Sequence, residues 1–257
     1  MGKIFDFVLN WVLNWGLIGN YVLPWEDPNM TAAKVALFGA GVIVLILAGY
    51  FLGSINFAII ISSTQYKQDI RDFGSNNAGM TNMMRTYGKK AAAFTFIGDV
   101  MKAVVACLLG HIILGQLGAY IAGLFCIVGH IFPIYYKFKG GKGVVTAGVT
   151  ILMCNPVAFL IVILIFFIIV GFTRYISLGS VMGMLLYPLI LDRVDRLILP
   201  MIDDTKGSVG GVFAIIMTAL IVFKHWQNIK RLFKGTESKF SFKKSVKRPT
   251  EEKDTQK

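Results

Sequence analysis

The sequence predicts an all-α polytopic membrane protein with about seven transmembrane helices, its N-terminus outside and its C-terminus cytoplasmic. Three observations lead there. The 257 residues are 55% hydrophobic and only 16% charged, whereas a soluble domain carries about 25% charge. Apolar runs of roughly 20 residues, the length that spans a bilayer as a helix, recur along the chain. Lysine and arginine concentrate in alternate connections, as they do in cytoplasmic loops.

Residues 1–34 come first. Asp6, Asn10 and Asn14 fall at i, i+4 and i+8 and form one polar stripe on a helix. Trp11, Trp15 and Trp25 suit the headgroup region. No small-residue cleavage site follows, so this is read as an interfacial amphipathic segment rather than a signal peptide.

The apolar segments are roughly 35–63, 91–109, 117–136, 144–172, 176–190 and 208–224. The fourth is too long for one ordinary crossing, and Asn155-Pro156 stands in its middle, where proline breaks a helix. Charge parity then decides the count. With a hairpin at Asn155-Pro156 there are seven crossings, and every strongly basic segment shares one side. These are 64–90 (five basic, two acidic), 137–142 (three lysines), Arg174, and 224–257 (eleven basic, four acidic). Positive-inside puts that side in the cytoplasm. The arm 144–154 rises only about 16 Å as a helix, and so needs other protein to cover it. Residues 35–237 form the membrane domain, and 238–257 read as a disordered basic tail, suited to anionic lipid.

The net charge of +12 is explained by these topology lysines and arginines, so nucleic acid is not the expected partner. Cys107, Cys126 and Cys154 lie inside apolar runs without CxxC pairing and read as packing residues, not as disulfide or metal ligands.

Four polar stretches fall on the cytoplasmic side. "GSIN", Gly53–Asn56, precedes "DIRDFGSNNAGMTNMMRTYGKK", Asp69–Lys90. Ser54 in an apolar helix commonly bonds its own backbone, and Gly49 and Gly53 favour close helix packing. In the longer stretch Ser75, Asn77, Thr81 and Asn82 supply small hydrogen-bonding groups, Gly74 and Gly79 allow close backbone approach, and Arg71 and Arg85 can fork onto phosphate.

"GHIFPIYYKFKGGKGVVT", Gly129–Thr146, is not a Walker A loop, because Gly143 follows Lys142 where a magnesium-binding hydroxyl would stand. It fits a more general anion nest, with Gly140, Gly141 and Gly143 freeing backbone N–H groups, the next helix aiming its positive end there, and Lys139 and Lys142 adding charge. His130 at the helix end reads as structural. In "GFTRYISLGS", Gly171–Ser180, Arg174 can snorkel or point into an anionic pocket beside Ser177. In "KHWQNIKRLFKGTE", Lys224–Glu237, His225, Asn228 and Arg231 share a helix face, and Glu237 can anchor the basic residues by an ion pair.

Taken together and in this order, the stretches resemble the bacterial membrane glycerol-3-phosphate acyltransferases that use acyl phosphate as donor. The first motif of that family is like G-S-I-P followed by D-I-R-x-x-G-S-G-N-x-G-A-T-N, matched at Gly53–Asn56 and Asp69–Asn82. The second is like G-H-x-F-P with F-K-G-G-K-G-V-A-T, matched at Gly129–Thr146, and the third like H-x-x-N-I-x-R-L-x-x-G-T-E, matched at His225–Glu237. Three positions depart: Asn56 for proline, Asn76 for glycine and Met80 for alanine. Asparagine tolerates left-handed backbone better than most residues.

The resemblance implies attack of the 1-hydroxyl of glycerol 3-phosphate on acyl phosphate, giving lysophosphatidic acid and inorganic phosphate at the cytoplasmic face of a bacterial inner membrane. It implies no cofactor and no metal. The expected partners are acyl phosphate, glycerol 3-phosphate and membrane lipids, with the protein as a monomer. The candidate catalytic residues are His225, Asn228, Arg71 and Ser54. Gly74, Ser75, Asn77, Thr81, Asn82, Lys139, Gly140, Gly141, Lys142, Gly143, Arg174 and Ser177 are the candidate substrate and phosphate ligands, and Glu237 is the structural acid. The rival reading of the same basic loops is a transporter of phosphorylated metabolites.

Overall fold

A computed structural model describes residues 31–198 and 210–240, and all regular structure among them is helical. The interfacial segment expected over the N-terminus therefore lies outside the described residues except for its last few.

Helix α1 (Ala32–Ser54) starts with Thr31 accepting a hydrogen bond from the Lys34 amide and ends at Ile55. Asn56, where the family has proline, caps α2 (Phe57–Tyr66) by accepting from the Ile59 amide. A 3₁₀ turn (Ile70–Asp72) and helix α3 (Met80–Tyr87) complete the first basic connection.

Helix α4 (Lys89–Ile131) is interrupted at Leu114 and Gly115, the latter at φ +60. A side chain at either Gly110 or Gly118 would overlap the backbone of the other. Those glycines are eight positions apart, about 12 Å along a straight helix, so the chain doubles back and α4 is two packed arms. The sequence reading separated the same two apolar segments at this point.

The short helix α5 (Val144–Cys154) and α6 (Pro156–Thr173) meet at Asn155, which accepts from the Ala158 amide with Pro156 at the first helical position. That is the expected break. Six of the eleven α5 residues are buried, and Gln116 of the second α4 arm donates to the Cys154 carbonyl at 3.0 Å. The short helix is thus covered and its end satisfied within the protein, as apolar surroundings require. Helix α7 (Ile176–Arg193) contains Pro188, which cannot donate to the Met184 carbonyl one turn back. Thr218 of α8 (Gly210–Lys224) donates to that carbonyl instead, at 2.7 Å. Helix α9 (Trp226–Phe233) follows α8 at a bend of 58°.

Among the described residues four helices are long and apolar enough to cross a membrane, or five if α8 and α9 count as one bent span. The packing is that of a membrane bundle. Gly49 and Gly53 of α1 lie against the Ala122 and Cys126 backbone of the second α4 arm, and Gly129 lies against Tyr50, the close approach that small residues permit. One apolar cluster joins α4, α5, α7 and α8 around Ile127, Ile151, Tyr187 and Met217. Helix α6 buries only Ala158.

Candidate active site

Two cavities open at the basic end of the bundle. The first, about 610 Å³, is polar and lined by Arg71, Lys137, Lys139, Lys142, Lys224 and Arg231, with Asp69 and Asp72 at its edge. The second, about 430 Å³, runs from His225 and Glu237 into an apolar slot between α4, α5 and α6, past Phe96, Val100, Gly148, Phe159, Val162 and Phe166. Among the described residues only Ser75, Asn77, Lys142 and Asn228 line both.

Lys142 stands at that junction. Its Nζ donates to Asn228 Oδ1 at 2.6 Å, and Asn228 Nδ2 donates to Glu237 Oε1 at 2.7 Å. Ser177 Oγ donates to the same oxygen at 2.7 Å, and Arg231 Nε to Glu237 Oε2 at 2.8 Å. Burial opposes a charge on Glu237, but hydrogen bonds from Asn228, Arg231 and Ser177 hold its carboxyl below the usual carboxylate range. Burial pushes Lys142 down to about 8. The Glu237 charge opposes the shift, and Arg231, Arg85 and Lys224 add to it.

His225 is buried between α8 and α9 and lines the apolar cavity. Its Nδ1 lies 2.8 Å from the Ile221 carbonyl. A carbonyl can only accept, so Nδ1 carries the proton and Nε2 of the neutral ring is an acceptor.

The first loop is built around Asn82. Its Oδ1 accepts from the Ser75 amide, and its Nδ2 approaches the carbonyls of Ile70, Phe73 and Asn77. Gly74, at φ +61, has no room for a side chain beside Asn82. Asn76 adopts φ +55, the left-handed geometry its residue type tolerates, and donates to the Arg71 carbonyl at 2.8 Å. Thr81 lines the apolar cavity.

Several expected ligands are otherwise engaged. Arg71 pairs with Asp69 at 2.6 Å and spends Nη1 on the Tyr136 and Lys139 carbonyls, so it ties the first loop to the second at the floor of the polar cavity. Ser54 is fully buried outside both cavities, donating to the Tyr50 carbonyl and accepting from the Ile134 amide. It does not reach a cavity, because the helix backbone beneath it takes its proton. Arg174 is exposed at a left-handed helix end and lines neither cavity, whereas its partner residue Ser177 does.

The glycine loop also differs from the expected nest. The Gly140 and Gly141 amides donate to the Ile131 and His130 carbonyls, so neither is free for an anion. A side chain at Gly140 would overlap the His130 carbonyl, and one at Gly141 the His130 ring. These glycines let the loop lie flat on the end of α4. The groups left for an anion are Lys142 and the start of α5, which no side chain caps, with Gly143, Val144 and Val145 on the cavity wall.

Sequence reasoning missed Asp99 and Lys102. Both are buried in the first α4 arm, and Asp99 lines the apolar cavity with His130. The signal was available: opposite charges three residues apart inside an apolar segment. The tail expected to begin at Ser238 is held for its first residues, with Arg85 donating to the Ser238 carbonyl and the Phe240 amide to the Arg174 carbonyl at 2.7 Å.

A cationic basin joined to an oily slot inside a helical bundle defines an integral membrane protein that handles an anionic headgroup together with an apolar chain. The chain belongs to the glycerol-3-phosphate acyltransferase family, whose sequence profile matches residues 43–235. It is 42% identical over 200 residues to a glycerol-3-phosphate acyltransferase of Finegoldia magna, covering 77% of this chain and 95% of that one. A namesake from Clostridioides difficile is 38% identical over 208 residues, covering 79% and 97%. The fold is similar to that of PlsY, an integral membrane glycerol 3-phosphate acyltransferase solved in a glycerol 3-phosphate form. The TM-score is 0.69 at 31% identity, over 78% of this chain and 96% of that one. Its lysophosphatidic acid form matches with a TM-score of 0.66.

Proposed function

We propose that the protein transfers a fatty acyl group from acyl phosphate to the 1-hydroxyl of glycerol 3-phosphate at the cytoplasmic face of a bacterial inner membrane. Seven crossings, with the N-terminus outside, complete the reading. The observation that carries it is the junction: an anion-binding basin and an apolar slot that share Ser75, Asn77, Lys142 and Asn228. An acyl tail suits the slot, and two phosphates suit the basin and its rim. Solved structures of PlsY in glycerol 3-phosphate and lysophosphatidic acid forms support the choice of substrate and product.

The steps follow from the chemistry. His225 Nε2 accepts the proton of the substrate hydroxyl as its oxygen bonds the acyl carbon. The acyl–oxygen bond to phosphate breaks, and inorganic phosphate leaves with the electron pair. Lys142 and the N-terminal amides of α5 offset the developing negative charge. Asn228 and Glu237 act through Lys142, holding its ammonium at the junction. Lys139, Lys224 and Arg231 supply the remaining charge of the basin, and Ser177 fixes Glu237. Basic residues grouped at one end of the bundle favour the cytoplasmic orientation.

The test is phosphate release by purified protein, with lysophosphatidic acid detected by mass. Release must require acyl phosphate and glycerol 3-phosphate together. Equal turnover with acyl-CoA would overturn the donor assignment, and uptake into vesicles without covalent change would support the transporter.

A further inference from the structure

Asp99, Lys102 and His130 form a polar cluster inside the bundle, each at most 4% exposed. Lys102 Nζ lies 3.0 Å from the Gly53 carbonyl, 2.7 Å from the Ile55 carbonyl, 2.9 Å from His130 Nδ1 and 2.9 Å from Asp99 Oδ1. An ammonium has three protons. Two of them satisfy carbonyls freed where α1 breaks, and the third lies between the carboxylate and the imidazole. His130 Nδ1 is also 3.6 Å from Asp99 Oδ1.

The far side of the imidazole meets the catalytic loop. His130 Nε2 and the Ala78 carbonyl converge on Gly141, with no room for a side chain there. The Ala78 carbonyl also accepts from Asn56 Nδ2 at 3.4 Å. The His130 and Ile131 carbonyls receive the Gly141 and Gly140 amides. One cluster thus touches the α1 break, the loop after Gly74 and the loop that carries Lys142. A buried ion pair is a costly way to fill a membrane bundle, and Asp99 and His130 line the same apolar cavity as Lys142.

We propose that Asp99, Lys102 and His130 are positioning residues that set the Lys142 loop at the junction of the two cavities. The inference rests on the acyltransfer reading above. If wild-type protein shows no acyl transfer, that reading fails; if wild type is active and the variants below behave like it, only the present inference fails.

The readout is the pH profile of kcat/KM, which reports free-enzyme groups. Lys142 is faced by Glu237, Arg231, Arg85, Lys224 and His225. Its protonated form suits phosphate, so wild-type kcat/KM is expected to fall as pH rises through about 8. A loosened loop would hydrate Lys142 and move that fall toward about 10, where an exposed lysine titrates. His130→Leu removes the imidazole and is expected to lower kcat/KM on the order of tenfold to a hundredfold, with the alkaline limb moved up by at least one pH unit. His130→Asn, which keeps an acceptor near the Nδ1 position, should recover most of the loss and return the limb toward 8.

Asp99→Asn combined with Lys102→Met removes both charges without orphaning either, and covers the case in which His130→Leu does not fold. It should move the limb in the same direction. An unmoved limb in folded protein, whatever the loss of rate, would assign the cluster to packing alone and overturn the proposal.

Discussion

The polar basin and the oily slot are neighbours built by different means. The basin draws on the first two basic loops and on Lys224, Gln227, Asn228 and Arg231 of α8 and α9, and Arg71 is held there by Asp69 and by the Tyr136 and Lys139 carbonyls. The slot is assembled mainly by helices, and its deeper walls are mostly Phe, Val, Ile, Met and Gly. One gives charge with modest geometric definition, and the other gives a largely apolar shape with charges at Arg85, Asp99, Lys142 and Glu237. The difference places the chemistry at their seam, where Lys142 and Asn228 belong to both. It also yields separable predictions, because a change at the seam should damage every reaction, a change in the slot only some, and a change outside both almost none.

The largest effects are expected for the residues that carry the chemistry, Lys142 at the seam and His225 in the wall of the slot. His225→Ala should lower kcat at saturating substrate by about 10²–10⁴-fold, the usual worth of a positioned base. A loss below about tenfold would move the proton acceptor to a substrate phosphate oxygen. Lys142→Met should cost on the order of 10²–10³-fold in kcat/KM, and the residual activity should lose its alkaline limb near pH 8. Lys142 is charged below that value and neutral above it, so a retained limb would assign the titration to another group. Both effects should be the same for short and long acyl donors, since neither residue forms the deep wall of the slot.

A change inside the slot should discriminate. Gly148 lies about 7 Å along α5 from Gly143, and a methyl added there would sit 3.8 Å from the Phe159 ring, an ordinary contact. Gly148→Leu can therefore fold while filling the slot. Each methylene denied burial costs about 0.8 kcal/mol, roughly fourfold. Long-chain acyl phosphates should lose about tenfold or more in kcat/KM, and donors too short to reach Gly148 should lose nothing. A uniform loss across chain lengths would disconnect the slot from the acyl chain.

How much of this was legible beforehand differs between loops and helices. The helix breaks at Gly115 and Asn155 could be read directly, because glycine and proline act locally and the charge pattern counts sides. Asn76 could also be read, since its left-handed backbone is a property of its residue type. The glycine loop was harder. Its composition suggested a nest of free amides, but whether an amide is free depends on what lies opposite, and the His130 and Ile131 carbonyls lie there only after α4 ends. Arg71 shows the same dependence: guanidinium chemistry suits phosphate and backbone carbonyls equally, and what it holds is a tertiary matter. Asp99 and Lys102 were passed over because a tolerated pair of charges does not interrupt an apolar run.

The smallest expected effect concerns Arg174, and it tests the boundary of the site. Its place beside Ser177 suggested either snorkelling or an anionic pocket, and its side chain is exposed and lines neither cavity. Its backbone carbonyl instead holds the Phe240 amide at 2.7 Å. A backbone contact survives truncation of the side chain, so Arg174→Ala should keep the C-terminal strap in place. Surface substitutions usually stay within about 0.5 kcal/mol, so kcat/KM should change by less than about threefold, with the chain-length profile unaltered. A loss of tenfold or more, specific to one substrate's KM, would mean that the guanidinium turns inward when that substrate binds. The basin would then be completed by its ligand rather than preformed, and the contrast between a preformed slot and a preformed basin would give way to one between a rigid wall and a closing one.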